Sequence, residues 1–542
     1  MQPKDIPALY KKYGSVAAIA RGLKVGRSVA RTAYEKAVEQ GLMPMVPLGK
    51  HTMGQISGPV AKQRVKALKT KRMRSSVYIL TDAQNNTNVH AGLWANLLEL
   101  AACDGATILV GTTYYHKRGF GTRNAIDPKS KRDQDEIWFD PKVVPYIKAE
   151  RVEIAKGLVW CGELTNILPT AERPLQGLEN YTGRASMIVP HTHLALQSIA
   201  GVGGSGAKLN YTTGTVTLRN YITSKAGYKA EFHHTYGALL VEVDDEGHWW
   251  VRQLVADSEG TIHDLDRKVE NGKVTEGHRV EAITCGDIHI EQIDPVVRDV
   301  VWGKDGVMDT LRPKQQHIHD LLDMYPRGHH IAKDPYKIFL RYAEGKDSVE
   351  RAVTQAADFL REIHRKDTVT VVVPSNHDRH LSRWLAENDG RKDPVNASYW
   401  SRLNAQVVEW IRKNKVEPDV LELAVRSVPG MLTHPVQFLP SDSSYVICKD
   451  FGGGIECGLH FDQGPNGARG TVRSFSRLIG RRSNGGHSHS AGIDGGAWQA
   501  GTFSKLKLEY NHGPSSWSHS FIITHENSKR QIITIFNGKW RA

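Results

Sequence analysis

The segment Val280-Glu281-Ala282-Ile283-Thr284-Cys285-Gly286-Asp287-Ile288-His289 decides how this chain is read. Val280 to Thr284 has the β-branched, apolar texture of a short buried strand, and Gly286 then breaks the run. Asp287 and His289 follow at the strand's C-terminal end as an oxygen and a nitrogen donor two residues apart. Downstream the same layout returns. Asp347 reads as the cap of a helix, with Glu350 three residues on, and Val349, Ala352, Val353, Ala356, Leu360 and Ile363 form one apolar face. That helix leads to a strand over 368–373, which ends at Asn376-His377. Strand, helix, strand with polar side chains at strand C-termini predicts a layered α/β domain over 276–542.

Working outward, five donor motifs stand in order. Asp287 and His289 are joined by Asp320 in His319-Asp320-Leu321-Leu322-Asp323, by Asn376 and His377 in Ser375-Asn376-His377-Asp378, by His460 in Gly458-Leu459-His460, and by His487 and His489 in Gly486-His487-Ser488-His489. One such pair is noise among 25 histidines; five in order are not. The donors are oxygen and nitrogen with no cysteine, a mixture suited to Mn²⁺, Fe²⁺ or Zn²⁺ rather than Ca²⁺.

This ordered set resembles the signature of the calcineurin-like metallophosphoesterases, which implies a β-sandwich flanked by helices and two adjacent divalent ions, Mn²⁺ first among them. The resemblance implies that Asp287, His289, Asp320 and His489 hold the first ion. Asp320 bridges to a second, completed by Asn376, His460 and His487. Two cations about 3.5–4 Å apart clamp a phosphoryl group and acidify a water between them. His377 is implied as the general acid, oriented by Asp378, and Arg379 or His380 as phosphate contacts. Two positions depart from the pattern: His319 precedes Asp320 where Gly is usual, so that His317 and His319 compete as ligands, and Ser375 replaces another Gly. The 84 residues from Asn376 to His460 imply an insertion over 382–440 that shapes a substrate groove.

Charge is unevenly spread along the chain. Residues 1–76 hold 16 Lys or Arg against Asp5, Glu35 and Glu39, which is the whole net charge of +13, and the remaining 55 basic and 55 acidic residues cancel. Such a head attracts a polyanion through phosphate neutralisation. Residues 1–43 show helical spacing over 6–13, 16–23 and 27–40 and resemble a helix-turn-helix, which would turn Arg27 and Arg31 toward DNA, although Lys24 stands where the turn usually has Gly. A helical hairpin for oligomer contacts is the alternative. Residues 44–76 read as a linker followed by a basic arm, with Lys62, Arg64, Lys66, Lys69, Lys71, Arg72 and Arg74 as phosphate contacts. Residues 77–275 read as a mixed α/β accessory domain that opens with a βαβ-like unit. Within it Gly201 to Lys208 misses the phosphate-loop spacing, and His191 and His193 are read as structural.

Five cysteines without a CxxC pair read as reduced thiols. No apolar run reaches the length of a membrane span, and the start lacks the layout of a secretory signal. The expected setting is therefore cytoplasmic. A neutral catalytic region behind a basic head favours a long polyanionic substrate, hence a DNA nuclease. The arrangement resembles the early host-DNA-degrading metallonucleases of large tailed phages, most strongly from Cys285 to Trp540 and including Tyr510 to Trp517. Membership would imply Mn²⁺, a homo-oligomer and action in the host bacterial cytoplasm. A phosphatase or cyclic-nucleotide phosphodiesterase, and a DNA-binding regulator with a degenerate phosphoesterase fold, are the alternatives.

Overall fold

A computed structural model describes residues 2–13, 16–40, 42, 71–72, 76–115, 137–202 and 206–542. The chain divides into two compact units, Met1–Lys69 and Thr70–Ala542.

The first unit has helices Ile6–Tyr13, Val16–Gly22 and Arg27–Glu39, close to the expected periodicities. Ile19, Ala20 and Ala30 are buried together, so small side chains let the second and third helices approach. Lys24, at the turn where Gly was missed, takes a left-handed φ of 52°. Lys62, Arg64, Lys66, Lys69 and Arg74 lie outside the described residues. Lys71 and Arg72, expected in the basic arm, form a short strand paired in parallel with Val152 and Glu153 at a sheet edge.

The second unit is mixed α/β. It opens with strand Val77–Gln84, helix Ala91–Asp104 and strand Thr107–Thr113, the two strands parallel as the βαβ reading requires. The hairpin Gly237–Val243/Trp249–Val255 joins this sheet, its turn held by Asp244 Oδ1 accepting the N–H groups of Glu246 and His248. The hairpin expected over 208–221 reduces to the strand Lys208–Thr212, which pairs with Ala195–Ile199.

A six-stranded sheet positions the donor motifs. Its order is Val436–Phe438, Val369–Val372, Gln315–Ile318, Ala282–Thr284, Ser520–Thr524, Arg530–Thr534; the first four strands are parallel and the last two antiparallel. Alternation sorts its side chains. Ile523 and Ile533 face the helices Pro295–Trp302 and Val349–Glu362, whereas Ile522 and Ile532 pack against Ile493, Trp498 and Ala500 of a second sheet. Helices, sheet and sheet thus stack through the six-stranded layer. The expected apolar face of helix Val349–Glu362, including the following Ile363, is buried throughout, but its cap is Ser348, whose hydroxyl accepts the Arg351 N–H, and not Asp347. The helix simply starts one residue later.

The second sheet has eleven strands and crosses the expected boundary at 275/276: Ala195–Ile199 pairs with Gly492–Asp494, so the middle region and the donor-bearing region share one layer. Residues 382–440 supply Leu385, Leu403, Leu421 and the edge strand Val436–Phe438 to the core rather than a groove wall. The strand expected over 506–510 is absent; that stretch is loop and turn. Among the described residues no helix is long and apolar enough to cross a membrane.

Candidate metal centre

Each donor motif follows a strand end. Asp287 and His289 come after Ala282–Thr284, Asp320 after Gln315–Ile318, and Asn376 and His377 after Val369–Val372. His460 and the pair His487 and His489 come from the other sheet, after Ile455–Glu456 and Arg482–Gly485. The chain turns sharply at these points: His289, Asp320, His487 and His489 have φ of 47°, 45°, 78° and 59°. A left-handed non-glycine residue costs about 1–2 kcal/mol, so four in one site are held there by their surroundings.

Asp287, His289, Asp320 and His489 each present one donor atom, all mutually within 4.8 Å and all buried. His289 Nε2 lies 3.0 Å from His489 Nε2 and 3.5 Å from Asp320 Oδ2, and His489 Nε2 is 3.2 Å from Asp287 Oδ2. His289 Nδ1 meets Asp323 Oδ1 at 3.0 Å, which leaves Nε2 as the acceptor aimed into the group. A second convergence shares Asp320. Its Oδ2 is 3.1 Å from His460 Nε2, and Asn376 Oδ1 lies 3.1 Å from both His460 Nε2 and His487 Nδ1.

The donor set fits a cation. Asp287 Oδ1 is buried without a hydrogen-bond donor. Burial, opposed by His460 and reinforced by Asp320, pushes the Asp287 carboxyl up to about 6. Burial alone would discharge His460, yet Asp320 and Asp287 hold it up at about 9. Burial drives His489 down to about 3, which keeps its nitrogens available as ligands. Buried carboxylates and imidazoles facing one another are what a divalent ion neutralises.

His317 and His319 do not enter either group. His317 is buried against Tyr445, and His319 stacks on His460 with their Nδ1 atoms 3.3 Å apart.

The chain is 35% identical over 477 residues to a protein named Protein A1 of Escherichia phage T5, an alignment covering 86% of this chain and 83% of that protein. This chain belongs to the phage T5 Protein A1 family. No protein-family profile matches it, and no solved structure does.

The expected pairing of His377 with Asp378 needs correction. The Asp378 oxygens accept the Leu322 N–H at 2.9 Å and the Ser375 hydroxyl at 2.8 Å, so this carboxylate braces two loops. Burial, then Asp320, pushes it up to about 7. The carboxylate beside His377 is Asp323, whose Oδ1 and backbone oxygen each lie 3.4 Å from Nδ1. Burial opposes protonation of His377, but Asp320 and Asp323 outweigh it and hold the imidazole at about 10. The only sequence signal for Asp323 was its place three residues after Asp320, the spacing that a turn brings round.

Beside His377 lies a cleft of about 120 Å³ lined by Asp323, Arg341, His380 and Tyr510 among others. Tyr510 comes from the segment misread as a strand; its ring sits 5.8 Å from that of His377, and Trp517 lies 4.1 Å from His489. Arg379 is engaged by Asp462 and turns from the role of phosphate contact. Of the expected DNA contacts, Arg27 and Arg31 sit on the third helix of the first unit. His191 lies 3.0 Å from the Leu168 carbonyl, and Lys208 Nζ donates to the Glu179 and Gly183 carbonyls.

Proposed function

We propose that this protein is a metal-dependent DNA nuclease that hydrolyses phosphodiester bonds, degrading host DNA in the cytoplasm of the infected bacterium as a homo-oligomer. The observation that carries the metal-dependent part is the sharing of Asp320 between two donor groups, 3.5 Å from His289 on one side and 3.1 Å from His460 on the other. Asp287, His289, Asp320 and His489 would hold one ion, and Asp320, Asn376, His460 and His487 the second. The stacking of helices, sheet and sheet, with donors at strand ends, supports the metallophosphoesterase reading of the fold. Two divalent ions, Mn²⁺ first and Fe²⁺ or Zn²⁺ next, would supply an acidified water and neutralise charge developing on the phosphoryl oxygens.

The chain's own residues do the rest. His377 stands at the edge of the donor groups with Nδ1 beside Asp323, and its imidazole would pass a proton to the departing deoxyribose oxygen. Tyr510 and Trp517 wall the flank of the centre beside His377 and His489. Asp378, by tying Leu322 to Ser375, holds the Asp320 and Asn376 loops in register. The charge of residues 1–76 supports DNA as the substrate.

The test is incubation with Mn²⁺ and either plasmid DNA or p-nitrophenyl phosphate, with and without chelator. Chelator-sensitive cleavage of the plasmid is the expected result. Turnover of p-nitrophenyl phosphate alone would replace this reading by a phosphatase or small-molecule phosphodiesterase. DNA binding without turnover of either would leave a regulator with a degenerate phosphoesterase fold.

A further inference from the structure

A second cleft, of about 1090 Å³, opens in the larger unit, and none of the seven metal-type donors lines it. Its walls carry Arg219, Arg477, Arg481, Arg482, Lys529 and Arg530 against a single carboxylate, Asp257. Asp257 Oδ1 accepts the N–H groups of Glu259 and Thr261, and its one negative charge faces six cations. Arg477 pairs with Glu172 at 2.8 Å, and Arg481 lies 3.7 Å from Glu456. Among the described residues Arg219, Arg482, Lys529 and Arg530 have no carboxylate within ion-pair distance.

We propose that this cleft holds a single strand of nucleic acid, its cations on successive phosphates and Phe232 as a stacking platform for a base. The substrate class rests on the nuclease reading; the site itself rests on the following observations. The cations are organised rather than merely abundant. Arg530 is only 6% exposed, donates to the Ser483 and Gly496 carbonyls and to Asn484 Oδ1, and lies 4.7 Å over the Trp498 ring. Burial, then Arg482, drives Arg530 down to about 9, and the same two causes lower Lys529. Like charges so crowded gain from an anion among them. Aromatic side chains accompany them: Phe232 is 83% exposed, and the Arg219 guanidinium lies 5.5 Å over the Tyr236 ring. A positively charged groove with accessible rings is the construction that binds single strands without sequence preference.

The cleft is also placed to serve the metal centre. Arg482 begins the strand that ends just before His487, and five residues span at most about 18 Å. A strand seated here would lead toward or away from the scissile position.

The test measures affinity of the full chain for fluorescein-labelled oligothymidylate in EDTA, over a range of salt. Binding without metal separates this proposal from the nuclease reading: a protein that binds as expected but never cleaves overturns only the latter. Arg219→Ala/Lys529→Ala should flatten the slope of log affinity against log salt by about 1.4, at roughly 0.7 per phosphate. Phe232→Ala should lower affinity on the order of 5- to 150-fold with little change in slope. Unchanged melting temperature and sedimentation would establish that fold and assembly are intact. Wild-type affinity and slope in both variants would overturn the proposal. So would complete displacement of the oligonucleotide by millimolar inorganic phosphate or thymidine monophosphate, which would mark a small-anion site. A fall in assembled mass would assign the cleft to a subunit contact instead.

Discussion

Gly486→Ala is the sharpest steric test of the metal centre. A methyl group built at Gly486 falls well inside contact distance of Asp287 Oδ1 and lies 3.1 Å from Cγ. Asp287 has little room to yield. It is fully buried, its N–H donates to Gly501, its carbonyl accepts from Phe503 and Thr502, and its Oδ2 accepts the His487 N–H at 2.8 Å. The carboxylate must therefore retreat by about 1 Å to restore ordinary contact. A displacement of that size at a reacting centre costs about 10²-fold in rate, and overpacking of this kind costs about 1–3 kcal/mol of stability. The donor group containing Asp287 is distorted most directly, so metal analysis under saturating Mn²⁺ should show at least one ion lost per chain, with plasmid cleavage down by about 10²-fold. Gly492→Ala is the control: its methyl would meet nothing closer than Val472 Cγ1 at 3.8 Å, so metal content and rate should stay at wild type. Full metal content and a wild-type rate in Gly486→Ala would refute the placement of Asp287 as a ligand.

Three further outcomes are expected. His377→Asn should retain metal and DNA affinity but lose about 10²–10⁴-fold in cleavage, less on a substrate with a p-nitrophenolate leaving group; loss of a metal in that variant would make His377 a ligand. Asp82, fully buried with Oδ1 accepting the Thr113 hydroxyl, is pushed up to about 7 by burial, against the hydrogen bonds from Thr113 and Thr215. Because the folded state holds this proton more tightly than the unfolded one, the stabilisation is complete below the unfolded value near 4 and is lost as pH rises through about 7. Between pH 5 and 8 the wild type should therefore lose about 3 kcal/mol more than Asp82→Asn in urea unfolding, and parallel curves would show that Asp82 titrates normally. A chain beginning at Thr70, the start of the second compact unit, should keep catalysis while its duplex affinity falls less steeply with salt, by about 0.9 in slope per phosphate contact removed; an unchanged slope would assign the head to another partner.

The donor residues were legible in the chain because local rules govern them. A β-branched run ending in glycine delivers its next polar residues at a strand's end, and the periodicity of residues 349–363 turned out as a buried helix face. The same locality made the three helices of the head and the parallel pair at 77–113 readable. What local patterns do not carry is which surfaces meet. Adjacency in sequence joined His377 to Asp378, but a loop reversal puts Asp323 at the imidazole and sends Asp378 to Leu322 and Ser375. Residues 506–510 alternate like a strand yet form a loop, because the place they occupy is the wall of the centre and not a sheet. The division at 275/276 dissolved for a similar reason: backbone hydrogen bonding joins Ala195–Ile199 to Gly492–Asp494 across nearly three hundred residues, and no composition shift records that pairing. The second cleft is the extreme case. Its cations come from positions 219 to 530, in stretches whose charge is balanced along the chain, and only folding separates them from their neighbouring carboxylates and gathers them into one wall.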